Sequence, residues 1–293
     1  MIYRPLGSTG FTTSALGLGG ESALYLRGNT AAQILERAFE LGINYFDTAP
    51  VYDDSELNLG DVLPGVRGRA FIATKIEERT YDGAWRQFEQ SLQRLRTTYV
   101  DMLQIHNLSE QEELDEISED NGALQMLHEA KEQGLVKFTG VTGHAEPEVL
   151  REAIARYPFD GILMALNPAE VHVHSFQTAL LPEAVEKGMA VMAMKVLARG
   201  LFWQKAGLKP NLPIHYVLSL PVSNVVLGVM NIEQLERNVE IVEQFEKLGP
   251  MPEEGMRALE EDTRSFAQDL NFYRKGNEHM PFPVPPDMVI DAL

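Results

Sequence analysis

Four side chains of unlike type occupy similar places in three consecutive apolar runs. Asp47 and Tyr52 fall in NYFDTAPVY (44–52), Lys75 near the end of FIATKI (71–76), and His106 at the end of VDMLQIH (100–106). A free phenol with a pKa of about 10 is a feeble acid-base catalyst near neutrality. An ammonium beside it favours the phenolate and lowers that pKa. Lys75 would supply the charge, and Asp47 would anchor Lys75 through a charge-assisted hydrogen bond. His106 could donate to the same oxygen that Tyr52 protonates, so the two would form an oxyanion hole. Each residue taken singly has an ordinary reading: a snorkelling lysine, a core histidine, a packing tyrosine, a turn-capping aspartate. Their common position at the ends of neighbouring runs is what packing does not require. The set holds a proton donor, a tuner and an orienter, but no hydride source.

These residues meet only if the runs are parallel strands whose C-terminal ends share one face. The pattern supports that. Strands are expected at Ala15–Gly20, Asn44–Ala49, Phe71–Ile76, Val100–His106, Phe138–Thr142, Gly161–Leu166, Ala190–Leu197 and Asn224–Val229. Helices are expected at Thr30–Leu41, Asp82–Arg96, Ala123–Gln133, Glu146–Arg156, Thr178–Lys187 and Ile232–Leu248. Asn29-Thr30 offers a helix cap, and Gly42, Gly134 and Gly188 offer helix ends. The strands read as continuous apolar runs, as expected where both faces are buried. Alternating β and α units give a closed (β/α)8 barrel or a doubly wound sheet. Gly17-Leu18-Gly19 lacks the third glycine of a Rossmann turn, since position 22 is Ser, and the barrel is preferred.

Tyr3–Thr13 reads as a β-hairpin able to plug the barrel floor. Beyond Gly249-Pro250, a helical stretch Glu253–Asp269 leads into PFPVPPDMVIDAL, an extended surface segment. The chain of 293 residues is expected to be one domain, with a barrel core over about 1–248 and an extension over about 249–293.

A formal charge of −18 disfavours nucleic acid and anionic membranes as partners. A local nest of N–H groups could still hold one anionic cofactor against that field. The acidic run Glu110–Asp120 reads as a solvated loop entering a helix N-terminus. With no cysteine, disulfides, Cys-ligated metals and a Cys nucleophile are excluded. The opening residues show no signal-type apolar stretch, and a cytoplasmic, soluble protein is expected.

The segments YRPLGSTGF with ALGLGG, GINYFDTAPVYDDSELNLG, FIATKI, RLRTTYVDMLQIH and GLVKFTGVTGH resemble those of the aldo-keto reductases over roughly residues 1–248. The resemblance implies a (β/α)8 barrel, NADP(H) as hydride source with NAD(H) the alternative, no metal, and a small-molecule carbonyl substrate. It implies Tyr52 as general acid/base, Asp47 and Lys75 as its modulators, and His106 as the group that positions the carbonyl. Cofactor positions carried over in this way are Gly20, Thr142, Asn167, Met194, Lys195, Gly228, Asn231, Gln234 and Asn238. The Met194-Lys195 strand end resembles a subgroup of which some members carry an iron–sulfur insertion, which a chain without cysteine cannot hold. Tyr25, His144 and Trp203 fall in loops on the mouth side and could line a substrate pocket. A monomer or small homo-oligomer is expected. Two other readings stand beside the reductase: a non-catalytic cofactor-sensing subunit on the same fold, and a Schiff-base lyase or aldolase using Lys75 or Lys195.

Overall fold

A computed structural model describes residues 1–25, 28–202, 207–270 and 274. Trp203 and the proline-containing tail lie outside the described residues. The first two strands, β1 (Tyr3–Pro5) and β2 (Thr12–Ser14), pair antiparallel. Then come β3 (Leu16–Gly19), β4 (Tyr45–Asp47), β5 (Phe71–Ile76), β6 (Val100–Ile105), β7 (Val136–Gly143), β8 (Gly161–Ala165), β9 (Ala190–Met194) and β10 (Asn224–Leu227). These close into a parallel barrel in the order β10-β3-β4-β5-β6-β7-β8-β9. All the strands expected from the sequence form, and the barrel is the outcome.

Side chains alternate across each strand, and the two faces meet different neighbours. Phe46, Ile72 and Leu103 turn outward into the core shared with the helices. Tyr45, Phe71, Ala73, Met102, Leu163, Met192 and Val226 turn inward and fill the barrel. Two residues further along the same inward face of each strand come Asp47, Lys75 and Gln104. The quartet therefore stands on top of a packed interior, at the strand C-termini, where barrel enzymes place their sites.

The floor is closed by the hairpin. Leu6 is fully buried among the interior residues, and the Phe11 ring lies 5.0 Å from that of Phe71. Gly7 makes this approach possible: it sits at φ +52, and a Cβ there would come within 2.3 Å of the Ala190 backbone nitrogen. Arg4 donates to the Leu218 and Val222 carbonyls, which ties the hairpin to the last barrel unit.

Helices form at Asn29–Glu40, Tyr81–Arg94, Ala123–Glu132, Pro147–Arg156 and Ile232–Leu248, close to expectation. Gly42, Gly134 and Gly188 follow helix ends at φ +85, +73 and +70. Three differences have local causes. The helix at Asn29 has Gly28 before it and no side-chain cap, so Asn29 and Thr30 lie within the first turn instead of capping it. The stretch expected as one helix at Thr178–Lys187 is two, Phe176–Ala179 and Leu181–Glu186, because Pro182 has no N–H to continue the ladder. The acidic run is mostly helix (Gln111–Ser118), with Glu113 accepting from the Ser109 and Glu110 N–H groups at 2.9 and 3.1 Å. After the barrel, Glu253–Thr263 is α-helical and Arg264–Leu270 tightens to 3-10.

Candidate active site

Lys75 is the centre of the mouth. It is 1% exposed, and Nζ donates to Asp47 Oδ1 at 2.5 Å and to the Thr48 carbonyl at 2.8 Å. The second carboxylate oxygen of Asp47 accepts from Gln104 Nε2 at 3.2 Å. Burial lowers the pKa of Lys75 from the ordinary lysine range, and the Asp47 carboxylate opposes that pull. Above this pair lies the Tyr52 ring, its centroid 4.7 Å from Nζ. Tyr52 Oη stands 3.5 Å from His106 Nε2, and the two rings meet edge-on at 84°. All four residues read from the sequence come together.

His106 is held from several sides. Its N–H donates to the Ile76 carbonyl at 2.8 Å, and its carbonyl accepts from Arg79 at 2.8 Å. Burial lowers its pKa, Lys75 adds to that, and Glu77 and Asp47 work in the other direction. The neutral ring is favoured. Tyr25 places its ring 6.0 Å from that of Tyr52, on the mouth side as expected. His144, buried directly after β7, also lies at this end.

The positions carried over for the cofactor form an arc along the ends of β7, β8, β9, β10 and β3. Thr142 Oγ1 accepts from the Asn107 N–H at 2.8 Å. Asn167 Oδ1 accepts from the Ala169 and Glu170 N–H groups, while its Nδ2 donates to the Lys195 carbonyl at 3.2 Å. Met194 ends β9 beside the inward residues. Gly20 donates to the Asp47 carbonyl at 2.7 Å, and a Cβ on it would meet Ser55 Oγ at 2.4 Å. Gly228 lies against Glu21 and Ser22 with no room for a Cβ. Asn231 and Gln234 close the start of the Ile232–Leu248 helix: Asn231 Oδ1 accepts from the Gln234 N–H, and Gln234 Oε1 from the Met230 N–H. Asn238 is buried one turn further along.

Several residues that complete the site carry no separate signal in the sequence reading. Gln104 is the inward residue two before His106, so strand alternation could have found it. Glu77 lies 3.3 Å from His106 Nδ1. Glu21 lies 3.3 Å from Lys195 Nζ and also pairs with Arg199, linking the loops after β3 and β9 across the end of β10. Lys195, Ala198 and Arg199 sit at φ +56, +45 and +53, so this loop holds a strained backbone.

A model of the aldo/keto reductase family matches residues 15–215. The chain belongs to the aldo/keto reductase family. Among its curated relatives is L-galactose dehydrogenase of Arabidopsis thaliana, 31% identical over 88% of this chain and 92% of that protein. The uncharacterized oxidoreductase YqkF of Bacillus subtilis is 27% identical over 90% of this chain and 97% of its own length. Among solved structures, aldo-keto reductase AKR11C1 of Bacillus halodurans in its holo form superposes with a TM-score of 0.72, covering 92% of this chain and 96% of that one. At 24% identity that likeness concerns the fold alone. As a member of this family the protein is an NAD(P)H-dependent oxidoreductase. Among the described residues no helix is long and apolar enough to cross a membrane, and no cluster of side chains is suited to hold a metal ion.

Proposed function

We propose that this aldo/keto reductase reduces a small aldehyde or ketone to the alcohol, reversibly, with Tyr52 as the general acid/base and NADP(H) as the cofactor, NAD(H) being the alternative. The observation that carries the reading is Tyr52 Oη held toward His106 Nε2 above the buried Lys75–Asp47 pair. The family's nicotinamide supplies or accepts the hydride when bound. The donor set at the mouth fits such a ligand. Lys195 and Arg199 converge on Glu21, whose carbonyl lies against Gly228, so two cations paired with one carboxylate stand beside the loop that leads into the Ile232–Leu248 helix, whose N-terminal end favours a phosphate. Gly20, Thr142, Asn167 and Met194 would border the nicotinamide end, and Gly228, Asn231, Gln234 and Asn238 would hold the nucleotide end. Tyr25, His144 and Trp203 are proposed to shape the substrate pocket.

In the reductive direction, Tyr52 gives its proton to the carbonyl oxygen as hydride reaches the carbon. Lys75 stabilises the resulting phenolate by charge through the ring's near side, and Asp47 and Gln104 keep Lys75 in place. His106 restrains the carbonyl oxygen opposite Tyr52. Proton transfer of this kind contributes about 10²–10⁴ in rate.

The test is a panel of small aldehydes and ketones assayed with NADPH and NADH in parallel, with the Tyr52→Phe variant beside the wild type. The expected result is carbonyl-dependent loss of reduced nicotinamide that falls by about 10²–10⁴ in Tyr52→Phe, with cofactor affinity unchanged. Full activity in Tyr52→Phe would remove Tyr52 from its role. Tight cofactor binding without turnover of any carbonyl would turn the reading toward a cofactor-sensing subunit. Borohydride trapping of substrate on lysine would turn it toward a lyase. The Lys75–Asp47 ion pair opposes that last reading, since a Schiff-base nucleophile must be a neutral amine.

A further inference from the structure

His106 directly follows β6, where the chain leaves the barrel, and the next residue turns it sharply. Asn107 lies at φ +47, in the left-handed region that costs every side chain something and asparagine less than most. The N–H groups of Asn107 and Leu108 are taken by Thr142 Oγ1 and by the Thr142 carbonyl, each at 2.8 Å. The N–H of His106 faces β5 and donates to the Ile76 carbonyl at 2.8 Å. In a parallel ladder the carbonyl of the same residue faces the same neighbour, so the Glu78 N–H would be its donor. That N–H bonds Gln87 Oε1 instead, at 3.3 Å. The ladder stops one bond short, at His106.

A side chain supplies the missing donor. Arg79 Nη2 donates to the His106 carbonyl at 2.8 Å, with the Asn107 carbonyl at 3.5 Å as a weaker second acceptor. A guanidinium donor makes a charge-assisted bond, stronger than the backbone bond it replaces. The Arg79 side chain is 13% exposed and is itself held, Nη2 also donating to Glu113 Oε1 at 2.9 Å. The other oxygen of Glu113 accepts from the Ser109 and Glu110 N–H groups at 2.9 and 3.1 Å. The acidic run after β6 thus provides the anchor, and the loop after β5 the arm.

We propose that Arg79 is a positioning residue for His106: by closing the unfinished ladder it holds the left-handed His106-Asn107 turn and so sets where the imidazole stands against Tyr52. The ring hangs from the Cα that this peptide carries. Its Nε2 stands 3.5 Å from Tyr52 Oη, a spacing from which both groups can reach one carbonyl oxygen. A tilt of the peptide swings the ring tip, and a displacement of about 1 Å at such a group can cost about 10² in rate. The effect on turnover rests on the reductase reading above; the effect on the ring does not.

The experiment compares Arg79→Met and Arg79→Lys with the wild type, each alone and combined with His106→Ala. Histidine-labelled, cofactor-free protein is followed by ¹H–¹³C NMR, the His106 ring signals being those lost in His106→Ala. Arg79→Met is expected to shift or split those signals while the exposed His128 stays in place. Arg79→Lys, which keeps a charged donor without the fork, should return them part of the way, and it carries the same comparison should Arg79→Met fail to fold. In turnover, Arg79→Met should lower kcat/KM for a small aldehyde by about 10–10²-fold, with affinity for the reduced cofactor unchanged. In the His106→Ala background the same substitution should cost nothing further, because its effect passes through the ring. Unmoved His106 signals would overturn the proposal. So would additive losses in the double variant, which would make Arg79 a general brace between the two loops. If the protein turned over no carbonyl at all, the reductase reading would fail while the ring signals still decided the role of Arg79.

Discussion

Lys75 and Asp47 are both deeply buried beneath the mouth, and their energetics are separable from catalysis. Each alone would be an isolated ion in a packed interior; together, with Thr48 and Gln104, both Asp47 oxygens and two of the three Lys75 protons have partners. Lys75→Met should leave the Asp47 charge uncompensated and destabilise the fold by about 3–5 kcal/mol. Asp47→Asn on the same background should recover most of that loss, because the residual charge is gone. Urea unfolding of both single variants and the double variant checks this, and additive losses would mean that the pair is not coupled. At this scale the sequence was legible where residue type and chemistry coincide. Asp47, Tyr52, Lys75 and His106 are odd groups at strand ends, and their types alone suggest proton handling. Gln104 and Glu77 were not legible, since a polar residue inside or just after a strand has many ordinary explanations until its neighbour is known. Glu21 is a similar case: its partners Lys195 and Arg199 are far along the chain and meet it only through closure of the barrel.

Elements were legible to the extent that their signals are local. All the barrel strands follow from apolar runs, and helix ends from glycines that reach positive φ. What escaped were short pieces decided by neighbours: the helices Ser55–Val62 and Asn211–Ser219, and the break at Pro182. The hairpin shows how a local turn acquires a global role. Gly7 and Gly10 both lie at positive φ, +52 and +77, but only Gly7 touches the barrel. Gly10→Ala should cost about 1 kcal/mol, the ordinary penalty of a side chain in that backbone region. Gly7→Ala carries the same strain and in addition drives a Cβ to within 2.3 Å of Ala190 N, so the floor must shift. It should cost clearly more than Gly10→Ala in thermal or urea unfolding. Equal losses would show that the hairpin tip is not seated on the barrel. Leu6→Ala, which empties part of the interior beneath the site, should cost about 2–5 kcal/mol by the same measurement.

For the molecule as a whole, the C-terminal extension is joined to the barrel mouth through a buried carboxyl. Glu170 follows Asn167 in the loop after β8 and accepts from the Phe176 and Gln177 N–H groups, with Arg274 of the extension as a charge neighbour. Around it, Tyr216 donates to Glu260 at 2.5 Å and His172 bonds the Glu260 carbonyl at 2.7 Å. Burial outweighs the stabilising hydrogen bonds and the Arg274 charge, and raises the Glu170 pKa to about 8. The folded protein thus holds a proton that the unfolded chain gives up near pH 4.5. The contribution of Glu170 to stability is complete below about pH 4.5 and is lost as pH rises through about 8. Glu56, also raised by burial, acts in the same direction above about pH 4.5 and is common to both proteins, while the remaining groups act in other windows. Glu113, Asp115, Glu129 and Glu261, with lowered pKa values, lose stability only as the solution becomes acidic. Buried His106, also lowered, acts below about pH 6.5 and with the opposite slope to Glu170. Between about pH 6.5 and 8.5, Glu170 is therefore the group that separates the wild type from Glu170→Gln. Over that range the wild-type Tm should fall by a few °C more than that of Glu170→Gln, on the order of 3–6 °C for a chain of this size. The repulsion that grows with net negative charge is common to both proteins and cancels in the comparison. Parallel Tm curves across this window would mean that Glu170 is ionised in the folded state, held as a carboxylate by Arg274 and the two N–H groups.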